Sequence, residues 1–160
     1  MTSTSSSIYI EAIFKHAVDI DLELRRVTLF GNLMIRNLSR EAVEHPLVVL
    51  HITPTRATLS GKILSPELVQ TFAVYTKGGK QTGWKFADSD WIKQSKHNGQ
   101  YRIESIEPLT LRPGIWTELK DWQVEYDFER ISEPLHIQGW VEVNDQRHLV
   151  INPISLTFAL

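Results

Sequence analysis

Apolar residues that return at every second position, in run after run, limit most sharply what this chain can fold into. Leu29, Gly31, Leu33 and Ile35 point one way along an extended backbone, until Asn37 supplies a turn-forming side chain. Pro46 opens a second run through Val48, Leu50 and Ile52 to Pro54, placed where a missing N–H costs a strand least. A looser version recurs from Leu135 through Gly139, Val141 and Val143 to Ile154, Leu156 and Phe158. Val18, Ile20, Leu22 and Leu24 alternate with Asp19, Asp21, Glu23 and Arg25, which predicts a half-buried strand with one wet face, the mark of antiparallel sheet. Trp122, Val124, Tyr126 and Phe128 form the clearest amphipathic strand. Turn signals every ten residues or so predict about nine or ten strands, favouring a sandwich over a barrel.

The period changes once. Ser65-Pro66-Glu67 has the residues of a helix start, Leu68, Val69, Phe72 and Ala73 share one helical face, and Lys77-Gly78 reads as a helix end. This predicts a helix over 66–77; the competing reading is a strand from Phe72 to Tyr75 joined to Trp84 through a glycine turn. Asn98-Gly99 predicts a tight turn before the strand of Tyr101 and Ile103, and Pro113-Gly114 a turn of type II geometry.

With 160 residues the expectation is one domain over 8–160 behind a polar, disordered leader at 1–7, with 56–100 as an insertion carrying the helix. A net charge of −2 with scattered basic residues argues against nucleic acid as a partner. The absence of cysteine excludes thiol catalysis and cysteine-ligated zinc. No apolar run approaches the ~18–20 residues of a membrane-spanning helix, and the N-terminus lacks the pattern of a signal peptide. The expected compartment is therefore the cytoplasm, or the extracellular space if a leader has been trimmed.

Gly31-x-Leu33-x-Ile35-x-Asn37, Pro46-x-Val48-x-Leu50, Leu111-Arg-Pro-Gly and Gly139-x-Val141-x-Val143-Asn resemble the small immunoglobulin-like β-sandwiches of the CARDB and FxLYD type. The likeness covers about two-thirds of the chain, and the 56–100 insertion departs from it. It implies an antiparallel immunoglobulin-like β-sandwich, here with one short helix in the central connection, that serves as an adhesion, spacer or accessory module. These families share no functional site, so no residue role is carried over.

Five tryptophans are the most unusual feature of the composition. Trp84, Trp91 and Trp116 lie in turn-rich segments, where exposed rings could stack on sugars. The alternative is that Trp122 and Trp140 fill the core while the other three cover edges between helix and sheet. Asp88-Ser89-Asp90 offers carboxylates but neither the glycine nor the distal glutamate of a calcium loop, and a solvated turn accounts for it. The six histidines show no metal spacing, and no nucleophile elbow or phosphate-cradling glycine loop occurs. The chain is expected to be a non-catalytic interaction or scaffold domain with a protein partner and no metal or cofactor. A carbohydrate-binding module using Trp84, Trp91 and Trp116, and a self-assembling structural subunit, are the alternatives.

Overall fold

The computed structural model describes residues 7–69, 74–75, 81–129 and 133–158, with the backbone alone at 74–75 and 81–82. In chain order the strands are β1 (Ile10–Asp21), β2 (Arg26–Asn37), β3 (Val43–Glu44), β4 (Leu47–Thr53), β5 (Thr58–Gly61), β6 (Ile63–Leu64), β7 (Val74–Tyr75) and β8 (Gln81–Thr82). They continue with β9 (Trp84–Phe86), β10 (Gln100–Ser105), β11 (Thr110–Leu111), β12 (Trp116–Asp127), β13 (Leu135–Val143), β14 (Gln146–Leu149) and β15 (Ile154–Leu156). An α-helix, α1 (Trp91–Asn98), lies between β9 and β10. The chain is mainly β, as its alternation predicts.

Two sheets make the sandwich. The first runs β1-β2-β12-β5; the second runs β14-β13-β4-β10-β9-β6, with β15 also paired to β13. All of these pairings are antiparallel except β6 with β9. One core joins the inner faces: Leu29, Leu33, Trp122 and Val124 from the first sheet with Leu50, Ile52, Ile103 and Val141 from the second, all fully buried. Each such side chain removed from water contributes about 1.5–3 kcal/mol before entropic costs.

Particular residues shape this core. Between Leu119 and Trp122 the β2–β12 register slips at a bulge, where Asp121 takes a φ of 57° and donates its N–H to Asn32 Oδ1 at 2.8 Å. The bulge sets Trp122 opposite Gly31 and lays the indole on the glycine, where a Cβ would come within 2.3 Å of Cη2. Phe14 meets the same ring edge-on at 5.7 Å. Asn37 ends β2 fully buried; its Nδ2 donates to the carbonyls of Glu41 and Leu111, and its Oδ1 accepts from the Ser39 N–H. Gly114 has the positive φ of a type II turn, closed by the Ile115 N–H on the Arg112 carbonyl.

Four local expectations change. Pro66–Leu68 forms a 3-10 turn, with no cap bond from the Ser65 side chain. Val69 continues the turn in helical conformation, but Val74–Tyr75 is a strand paired with Gln81–Thr82, so the helix cannot run on to 77; 70–73 and 76–80 lie outside the described residues. The central connection also carries α1, which the side-chain period does not predict. Asn98-Gly99 is its end and not a hairpin, with Gly99 left-handed and its N–H on the Ser95 carbonyl. Trp140 is buried on the outer face of the second sheet, under Arg147, with its indole N–H on Glu142. Finally, Val18–Leu24 is no half-buried strand: β1 ends at Asp21, Leu22–Arg25 is the hairpin turn, and all four apolar residues are exposed.

Candidate functional site

The β1–β2 hairpin is built to hold its shape at its tip. Its ladder pairs residues without a break from Ile10 opposite Asn37 to Asp21 opposite Arg26. At the turn, Asp21 Oδ1 accepts the N–H groups of Glu23 and Leu24, both at 3.0 Å, and Arg25 takes a φ of 52°. The Phe128 N–H donates to the Arg25 carbonyl, and Arg26 Nε donates to Asp127 Oδ1 at 2.8 Å, a contact that raises the guanidinium pKa above its ordinary value. The tip is thereby tied to the end of β12.

β1 is an edge strand. The even-numbered residues turn their N–H and C=O groups away from β2: the Phe14 N–H and C=O meet the amide of Asn152, and the Ala12 C=O accepts the Ile151 N–H. The segment after β14 thus closes the edge as far as Phe14. Beyond it, no hydrogen bond among the described residues reaches the outward groups of His16, Val18 and Ile20. The other edge strand of this sheet, β5, is only four residues long.

The inner face of the same strand changes character at the same place. Ile10, Ala12 and Phe14 are buried in the core, whereas Val18 is 38% exposed and Ile20 51%, and the stripe continues through Leu22 at 71% and Leu24 at 64%. The partner positions on β2, Val27 and Leu29, are fully buried. Beyond Phe14, then, the core stops at β2, and β1 overhangs it. On the opposite face of the overhang lie Lys15, Ala17, Asp19 and Asp21, the first two beside a shallow hollow of about 530 Å³ that also takes in Phe30 and Gln123.

The tryptophans singled out from sequence each have an intramolecular partner. Trp84 is half-buried and donates its indole N–H to the Glu118 carbonyl. Trp91 stacks face to face on Phe86, with centroids 3.8 Å apart. Trp116 is 40% exposed, and the Arg36 guanidinium lies 4.5 Å over its ring, itself paired with Glu11. Beside Trp91, a groove of about 450 Å³ runs between α1 and β5, lined by Leu59, Ile92 and Tyr101 with Arg56 at its rim. Arg56 is engaged with the Asp127 carbonyl and the Tyr126 hydroxyl.

Asp88 pairs with Arg102 and Asp90 accepts from Gln94, so the Asp88-Ser89-Asp90 turn is bound up in local contacts. No group of three or more His, Asp or Glu side chains among the described residues could hold a metal. No helix among them is long and apolar enough to cross a membrane.

Alternation alone assigns the Val18–Leu24 stripe to the interior, and the structure puts it outside. The signal that distinguishes the two is Asp21-Leu-Glu-Leu-Arg25: an aspartate able to cap its own turn, placed between two alternating runs, marks a hairpin bend and puts Leu22 and Leu24 in water. The chain matches no family model and no curated protein.

Proposed function

We propose that this chain is a non-catalytic protein-interaction domain that docks its partner along the open edge of β1. The observation that carries this reading is the coincidence, from His16 to Ile20, of unpaired outward backbone groups with an exposed apolar stripe on a rigidly held strand. A strand that adds to such an edge gains main-chain hydrogen bonds, and alternate side-chain contacts provide specificity. Sheet edges that only face water are commonly short, bulged or charged on the inward face. This one is unbulged, and the inward face of its open part is His16, Val18 and Ile20, with no carboxylate, lysine or arginine.

Val18→Pro tests the reading. The Val18 N–H points away from β2, so proline there removes a docking donor and leaves the hairpin ladder whole. Immobilised wild-type chain is expected to retain specific proteins that the Val18→Pro chain does not, with unchanged circular dichroism. Identical retention by the two chains refutes the assignment of the edge.

A further inference from the structure

We infer that the occupant of this edge is a second copy of the chain, with the two β1 strands antiparallel about a two-fold axis through Val18. The inference rests on the docking role proposed above and names its partner.

Two identical edge strands that continue one sheet must place like faces together, so the axis passes through a residue and not between two. That leaves few registers. An axis through Asp19 sets two Asp19 carboxylates opposite each other, and one through Ile20 sets Asp19 opposite Asp21 twice. With the axis at His16, Val18 falls opposite Phe14, whose N–H and C=O are already held by Asn152. At Ala17, Ile20 meets the same obstacle. At Val18, every outward N–H and C=O of His16, Val18 and Ile20 finds a partner: Val18 bonds to Val18, and His16 exchanges bonds with Ile20 of the other copy.

Side chains agree with this register on both faces. On one, the two Val18 residues meet and Ile20 lies against His16, extending the stripe across the axis. On the other, Lys15 faces Asp21 of the other copy, and the symmetry repeats the pair. Asp21 uses Oδ1 to cap its turn, which leaves Oδ2 for the lysine. The described residues give Lys15 no ion-pair partner within its own chain.

Sedimentation equilibrium on the full chain tests the inference. Wild type is expected at twice the 18.4 kDa of one chain at high micromolar concentration. Val18→Pro should weaken the dimer at least ~10-fold with the thermal midpoint preserved. Lys15→Asp alone and Asp21→Lys alone each set like charges across the axis twice and should run as monomers. An equimolar mixture of the two variants restores both opposite-charge pairs and should recover the dimer; this complementation also controls for any loosening of the Asp21 turn. A monomeric wild type, a dimer indifferent to Val18→Pro, or a mixture that stays monomeric overturns the inference. If wild type is monomeric and Val18→Pro still loses heterologous proteins, self-pairing fails while the docking role stands; if Val18→Pro changes neither, both fail.

Discussion

Gly31 is the position where one added methyl group should do most damage. An alanine Cβ there would sit 2.3 Å from Cη2 of Trp122 and 2.5 Å from Cζ2 and Cζ3. The indole has no room to retreat, because it is fully buried and Phe14 stands against it edge-on. Gly31 is not in the left-handed region, so the backbone itself accepts alanine, which gains roughly 0.5–1 kcal/mol over glycine in a strand. Overpacking costs about 1–3 kcal/mol, and contacts this short belong at or above its upper end. The net for Gly31→Ala is a loss of about 2 kcal/mol, or a midpoint lower by about 4–8 °C for a chain of this size. Trp122→Phe removes the offending ring atoms, along with a buried indole N–H that has no acceptor among the described residues. In that background Gly31→Ala should be close to neutral, giving a coupling of at least about 1 kcal/mol. Urea denaturation of the four proteins measures the cycle. A Gly31→Ala loss below about 0.5 kcal/mol, or an equal loss in both backgrounds, refutes the packing argument.

Other side chains give independent tests. Asn37→Ala leaves the Leu111 and Glu41 carbonyls without their donor in a buried corner, and should cost about 1–3 kcal/mol in the same titration. Gly99→Ala forces a φ of 74° on a residue with a Cβ that would lie 2.4 Å from the Ile52 carbonyl oxygen, so it should cost about 1–3 kcal/mol and shorten α1 as read by hydrogen exchange. Burial holds the His148 imidazole pKa below its ordinary 6.5. The folded chain therefore binds that proton less readily than the unfolded one: the contribution is whole above pH 6.5 and fades as the pH falls through the folded pKa. His148→Gln should flatten that part of the acid side of a midpoint-against-pH profile, and an unaltered slope would refute the assignment.

The fold is legible where side-chain period and turn chemistry point the same way. Leu29–Ile35 and Trp122–Phe128 bury their alternate residues as the alternation predicts, and Asn37 and Pro113-Gly114 turn the chain where expected. Legibility fails where one local signal serves two structures. Asn98-Gly99 closes a hairpin or ends a helix with equal economy, because both need a left-handed glycine. Ser65-Pro66 opens a 3-10 turn as readily as an α-helix. Farther on, Val74–Tyr75 pairs with Gln81–Thr82, a contact outside the window of helical periodicity. Hydrophobicity alone places Trp140 in the core, but residue 140 shares a face with Glu142, and it is buried by Arg147 laid over it.

The candidate site is visible in the sequence and misassigned by its pattern for a related reason. Alternation states that one face of a strand is apolar; it does not state that another sheet reaches far enough to cover it. Val27 and Leu29 on β2 and Val18 and Ile20 on β1 carry equivalent patterns and sit opposite each other, yet one pair is buried and the other exposed. The change falls just past Phe14, whose N–H and C=O are taken up by the side-chain amide of Asn152 where the closing segment leaves β1. A single amide more than a hundred residues away in sequence thus stands at the boundary between the core part of β1 and its overhang. The division itself is testable: Asn152→Ala frees the Phe14 groups and should extend the open edge toward the N-terminus. Hydrogen exchange would then show the Phe14 amide losing protection while the odd-numbered amides of β1, which face β2, keep theirs. Equal loss along the whole strand would mean that Asn152 holds the hairpin in place and does not merely set where its edge opens.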